Sequence, residues 1–221
     1  MQLADTAPTL LVPVGSTEQH GPHLPLDTDT RIAAAVAHRA AAELDHLTAP
    51  AIAYGASGEH QGFPGTVSIG TAAMTAVLQE YGRSAGDWAG RLVFVNGHGG
   101  NTEALCAAVG RLREEGRDAG WSSCSAVGGD AHAGHTETSL LLHLSPHLVD
   151  SEHLAPGNVE PLPELLPRLR RDGVGAVSRS GVLGDPRAAT AAAGSAIFVA
   201  MVADCIARIR RWTPGPSGML T

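Results

Sequence analysis

The stretch Thr9-Leu10-Leu11-Val12-Pro13-Val14-Gly15-Ser16-Thr17-Glu18-Gln19-His20-Gly21-Pro22-His23-Leu24-Pro25-Leu26-Asp27-Thr28-Asp29 decides how this chain is read. Its apolar opening, Thr9–Val14, has the length and character of a buried strand. Gly15, Gly21, Pro22 and Pro25 then keep the chain from becoming helical. On that turn sit His20, His23, Glu18, Asp27 and Asp29, the imidazole and carboxylate donors that Zn²⁺, Mn²⁺ or Fe²⁺ accepts. Glu18 and His20 are two residues apart, so in extended chain both face one cavity. Asp29 comes just before a helix starting at Thr30; N-capping is the plain alternative for it and for Asp27. Beside Glu18 and His20, the metal role is favoured for Asp29. His23 reads as a ligand, a support behind the ligands, or a substrate contact.

Two later clusters repeat the vocabulary. Asn96-Gly97-His98-Gly99-Gly100-Asn101 follows the apolar run Arg91–Val95, and its glycines allow a close backbone approach. His132-Ala133-Gly134-His135-Thr136-Glu137-Thr138 lies between a strand and a helix. There Glu137 suits a terminal ligand or a catalytic carboxylate, and His132 an acid, base or oxyanion partner. Gly97-x-Gly99 also imitates a phosphate-binding turn, which gives a nucleotide-binding protein as a rival reading, but Thr102 stands at the third glycine position. A metal-binding protein without enzymatic activity is a further alternative.

Strand-like and helical segments alternate. Strands are expected at Thr9–Val14, Leu47–Tyr54, Arg91–Val95 and Trp121–Val127. Helices are expected at Thr30–Leu44, Thr71–Trp88, Asn101–Glu115, Thr136–Leu144 and Pro186–Trp212, with a short one near Pro163–Arg171. Such alternation implies an α/β fold with a mainly parallel sheet and helices on both faces. Ligands gather outside the carboxyl ends of such strands, which is where all three clusters fall. The Gly-rich loop 55–70 carries Glu59 and His60, expected to touch substrate. Residues 1–213 read as one domain and 214–221 as a flexible tail.

Composition narrows the chemistry. A chain of 221 residues with 43% hydrophobic and 17% charged residues is that of a compact globular protein. The net charge of −7, with no basic patch, argues against nucleic acid as a partner. All 15 basic residues are arginine, which removes Schiff-base and P-loop lysine chemistry. Neither HExxH nor GxSxG occurs. Cys106, Cys124 and Cys205 form no CxxC pair, and no secretory h-region is visible, so a cytoplasmic location is expected. The apolar run Ala188–Ala203 reads as a buried or interface helix rather than a membrane span.

Pro13 to Leu26, Phe63-Pro64-Gly65-Thr66, Asn96 to Asn101 and Glu137-Thr138-Ser139 together resemble the signatures of the creatininase family of metal-dependent amidohydrolases. The resemblance implies a three-layer α/β/α sandwich, two divalent metal ions per subunit and a homo-oligomer, often a hexamer. It implies that Glu18 and His98 hold one metal, His20 the second, and that Asp29 bridges them. Creatininase itself has a glutamate ligand two residues after the NGH histidine; this chain has Gly100 there, and Glu137 is the candidate replacement. Gly55 to Gln61 and Asp130 to Ser139 are similar to a peptidase branch of the family. That branch implies a modified, ribosomally made precursor peptide as substrate, losing a C-terminal dipeptide. A small cyclic amide or formamide is the alternative substrate.

Overall fold

The computed structural model describes residues 7–221. Residues 1–6, where the expected domain begins, lie outside them. Four parallel strands form the sheet: β1 (Thr9–Val14), β2 (Leu47–Thr48), β3 (Arg91–Asn96) and β4 (Ala119–Ser123), in the order β2-β1-β3-β4. Among the described residues six α-helices flank it: α1 (Thr28–Leu44), α2 (Gly70–Ala85), α3 (Thr102–Glu114), α4 (His135–Leu144), α5 (Leu162–Asp172) and α6 (Ala191–Arg211).

Strand alternation builds two cores. Leu10, Val12, Val14, Leu92 and Phe94 meet α2 and α3 on one face, while Leu11, Val93 and Val95 meet α1, α4 and α6 on the other. Both faces are covered, as a parallel sheet requires. From β1 the chain crosses through α1 to β2; from β3 it crosses through α3 to β4 on the opposite side. The connections therefore diverge between neighbours β1 and β3, and this opens a crevice at their carboxyl ends.

The expected elements hold with local corrections. The strand expected over Leu47–Tyr54 is confined to Leu47–Thr48 plus a single bridge from Ile52 to Val14. Pro50 lacks the N–H that a continuous ladder needs. The strand expected over Trp121–Val127 runs from Ala119 to Ser123, and beyond it the chain turns off to line the cavity. The last helix starts at Ala191, capped by Thr190 Oγ1, which accepts from the Ala193 N–H at 3.1 Å. Segment 214–221, expected as a flexible tail, packs against β4: the Trp121 N–H donates to Gly218 O, and the Leu220 N–H to Trp121 O. Leu220 is fully buried, which accounts for the ordered path. By length and composition α6 could cross a membrane, yet its Met201, Val202, Cys205, Ile206 and Ile209 enter the core.

Candidate metal centre

The turn after β1 delivers Glu18 and His20 to the crevice, both with no solvent exposure. The His20 Nδ1–H donates to Glu18 O (3.1 Å), leaving Nε2 to face Asp29 Oδ1 at 3.1 Å and Glu137 Oε2 at 3.7 Å. Fixing one ring nitrogen to a carbonyl is how a metal-binding imidazole is oriented. Asp29 lies in the first turn of α1 but does not cap it. Its Oδ2 accepts from Ser16 Oγ (2.7 Å) and lies 3.1 Å from His98 Nδ1, so the carboxylate spans both histidines. Asp27 instead pairs with Arg31 away from the site.

His98 leaves β3 through Gly97, where a Cβ would stand 2.4 Å from the Asp29 carbonyl. Only glycine lets the β3 end close on the start of α1. Asn101 ties the loops together: its Nδ2 donates to Gly15 O (2.9 Å) and Asn96 Oδ1 (3.2 Å), and its Oδ1 accepts from Ala56 N (2.9 Å). Asn96 in turn donates to His98 O at 2.7 Å.

The third cluster closes the ring. Glu137, in the first turn of α4, accepts from Ala133 N (2.6 Å) and reaches His20. The His132 Nε2–H donates to Gln19 O (2.8 Å), and its Nδ1 lies 3.8 Å from Glu18 Oε1. His60 is buried, with Nε2 3.4 Å from Glu18 Oε1, and Glu59 Oε1 stands 3.4 Å from His98 Nε2. These two form part of the wall of the site. His23 is not brought to the cavity; it is 1% exposed, and its Nε2 meets Thr138 Oγ1 at 2.9 Å. The substrate contact expected of it gives way to a role tying the first motif to α4.

Gln19, between two ligands, was invisible to the alternation argument. Its Oε1 accepts from Gly21 N (2.9 Å), so its amide N–H groups face Gly181 O (3.2 Å) and His60 Nδ1 (2.8 Å). No local signal distinguishes Gln19 or Asn101, because the contacts that tie them to the other loops, Gln19 to His60 and Gly181 and Asn101 to Gly15 and Ala56, span more than 40 residues.

The donor set fits metal ions. Glu18 Oε1 and Oε2 are both buried with no hydrogen-bond partner, although His98 Nε2 lies 3.1 Å from Oε2. A bare buried carboxylate is costly unless a cation compensates it. The triads Glu18–His20–Asp29, His20–His132–Glu137 and Glu18–His60–His132 each gather their donor atoms within 4.8 Å. Asp29, His60, His132 and Glu137 of these triads line a cavity of about 890 Å³, with Glu18 and His20 buried behind them, and the cavity wall includes Leu162, Leu166, Leu169 and Arg170 of α5.

The electrostatics follow from crowding. Burial opposes charging His20, but Asp29, Glu137 and Glu18 push it up to about 10. Burial likewise opposes charge on His98, while Glu18, Asp29 and Glu59 hold it well above the imidazole range. Asp29 is held well below the carboxylate range by His20 and His98, against burial. Burial raises Glu137 to about 7, with His20 pulling the other way. Metal-free protein therefore carries protons on His20 and His98 at neutral pH, and a cation must displace them. Uptake is expected to release protons, and apparent affinity to rise by about tenfold per pH unit for each proton displaced. Chelator competition at several pH values, with proton release followed in weak buffer, checks this; pH-independent uptake contradicts it.

The profile of the creatinine amidohydrolase family matches residues 1–209. The chain belongs to the creatininase family. Mycofactocin precursor peptide peptidases of Mycobacterium ulcerans (strain Agy99) and Mycolicibacterium smegmatis are each 64% identical to it, covering all of this chain and 92% of theirs. The creatinine amidohydrolase of Pseudomonas putida is 33% identical over 66% of this chain and 67% of its own. A solved creatininase superposes with a TM-score of 0.80 at 27% identity, covering 97% of this chain and 93% of that one. The parallel sheet with its flanking helices is thus the creatininase fold, and the protein is a metal-dependent hydrolase of C–N bonds.

Proposed function

We propose that this creatininase-family protein is a peptidase that removes a modified C-terminal dipeptide from a mycofactocin precursor peptide, using two divalent ions per subunit. The observation that carries the reading is the ligand cluster at the floor of a cavity of about 890 Å³. That volume suits the end of a peptide, near the upper range of small-ligand pockets. Full-length 64% identity to proteins named for that peptide supports the same substrate. A creatininase mutant of Zn-Zn type, at TM-score 0.80 and 28% identity, supports the metal count.

Glu18, Asp29 and His98 would hold one ion, and His20, Asp29 and Glu137 the other. Zn²⁺, Fe²⁺ and Mn²⁺ all accept such nitrogen and oxygen donors. When bound, such ions supply the Lewis acidity that makes water nucleophilic near neutrality and offsets charge on the carbonyl oxygen. The chain's own part is proton handling and positioning. Because His132 Nε2–H is committed to Gln19 O, Nδ1 is the atom free to accept a proton from the attacking water. The same nitrogen then passes it to the departing amine. His60, whose ring lies 4.4 Å from that of His132, is placed to orient the peptide beside it. The exposed apolar side of α6, where Val199 is 64% exposed, supports assembly with copies of itself, a hexamer by family resemblance. Three free cysteines support a cytoplasmic setting.

Mass spectrometry of metal-loaded protein with the modified precursor peptide tests the reading. The expected product is the released dipeptide, abolished by chelation and restored by metal. Cleavage that survives chelation, or turnover of creatinine or a formamide with the peptide left intact, overturns it.

A further inference from the structure

Gln19 fixes the proton positions of two neighbouring imidazoles. Its side-chain amide has one orientation, because the Gly21 N–H donates to Oε1 (2.9 Å) and Gly181 O accepts from Nε2 (3.2 Å). Gly181 has a φ of +82°, and any Cβ there would collide with the Gln19 amide. The other amide N–H therefore donates to His60 Nδ1 at 2.8 Å. A ring nitrogen that accepts carries no proton, so His60 is the neutral ring with its proton on Nε2. His132 meets the same residue at the backbone. Its Nε2–H donates to Gln19 O at 2.8 Å, since a carbonyl can only accept; the amide nitrogen lies further off, at 3.1 Å.

The two rings thus turn unlike atoms toward the cavity that both line: His60 presents Nε2–H, and His132 a bare Nδ1. These atoms converge, His60 Nε2 lying 3.4 Å and His132 Nδ1 3.8 Å from Glu18 Oε1. Yet Glu18 Oε1 accepts no hydrogen bond, so among the described residues the His60 Nε2–H is unspent. We propose that His60 is a catalytic hydrogen-bond donor, its Nε2–H meeting the carbonyl oxygen of the scissile amide as that oxygen gains charge, and that Gln19 is its positioning residue. A donor already aimed where charge develops stabilises the transition state without reorganising. His60 keeps its proton throughout, while His132 Nδ1 takes one from water. The proton on Nε2 also keeps His60 from ligating a metal there, although Glu18, His60 and His132 each bring a donor atom within 4.8 Å of the others. This rests on the peptidase reading above and turns the orienting role of His60 into a chemical one.

Long-range ¹H–¹⁵N spectra of Zn²⁺-loaded protein, labelled at histidine and free of substrate, test the proton positions. His60 is expected in the Nε2–H form; an Nδ1–H form, or a metal-bound Nε2, overturns the proposal. Gln19→Glu, whose carboxylate only accepts, is expected to put a proton on His60 Nδ1; an unchanged His60 spectrum removes Gln19 as the positioning residue. His60→Leu is expected to keep its metal and lower kcat on the modified precursor peptide by about 10²- to 10³-fold, with KM within a few-fold of wild type. His60→Gln, which retains an N–H, is expected to recover part of that rate. Loss of an ion makes His60 a ligand, and a rise in KM at unchanged kcat makes it a binding contact; either result overturns the proposal. Circular dichroism verifies folding, and if His60→Leu fails to fold, His60→Gln is judged on metal content and kcat instead. Wild-type protein that leaves the peptide intact sinks the peptidase reading, a separate result, and the spectra then judge His60 and Gln19 alone.

Discussion

Asp29→Ala is expected to leave the fold in place, remove bound metal and lower peptide hydrolysis by on the order of 10³-fold or more. The size of the effect follows from geometry. One carboxylate faces His20 through Oδ1 and His98 through Oδ2, so it belongs to both donor sets. Its orientation is held by Ser16 Oγ and by the backbone contact at Gly97, neither of which involves metal. Removing it takes a donor from each ion, which no other single substitution does in the proposed arrangement. Glu18→Ala is expected to be comparably severe, and the double variant little worse than either, since such groups act as a unit. Elemental analysis and kcat/KM provide the readouts. Full metal content with wild-type turnover in Asp29→Ala rules out the bridging assignment.

His132→Gln is expected to behave differently: metal content retained, kcat reduced by about 10²- to 10⁴-fold. Burial, then the neighbouring charges of His20 and His60, hold the His132 imidazole well below its ordinary range, so it is neutral near pH 7. With its Nε2 proton donated to Gln19 O, the ring presents Nδ1 as a base toward the cavity. Glutamine fills much of the same volume without a titrating nitrogen. Metal loss in this variant identifies His132 as a ligand instead, consistent with its place beside His20 and Glu137. Turnover within a few-fold of wild type sends the proton through another group, with Glu137, raised to about 7, the next candidate.

How much of this was legible in the sequence depended on the range of the interactions involved. β1 and β3 are read correctly because buried parallel strands appear as short apolar runs. Glu18, His20, Asp29, His98 and Glu137, picked out at element ends where local pattern and topology agree, are brought together by the fold. The failures share a cause. Alternation sets Gln19 opposite Glu18 and His20, yet its amide meets His60 and Gly181, 41 and 162 residues along the chain. His23 has the right residue type, but its direction is set by Thr138, more than 100 residues away. Glu59 comes within 3.4 Å of His98 in a space that Gly100 leaves open, an arrangement only the folded chain reveals. Composition also made 214–221 look free, whereas Leu220 fits the edge beside Trp121.

The bare carboxylate of Glu18 has a consequence for how long the protein lasts. Its oxygens are sealed from solvent and make no hydrogen bond, with His98 Nε2 3.1 Å from one of them, so a cation bound there relieves an electrostatic penalty of the metal-free fold. A ligand that binds only the native state raises its stability by mass action, about 2.7 kcal/mol at a hundredfold excess over Kd. The ion is thus linked to persistence as well as to turnover. Cells short of the metal would hold a polypeptide that is inactive and also more readily opened and degraded. Metal supply would then set how much of this protein survives.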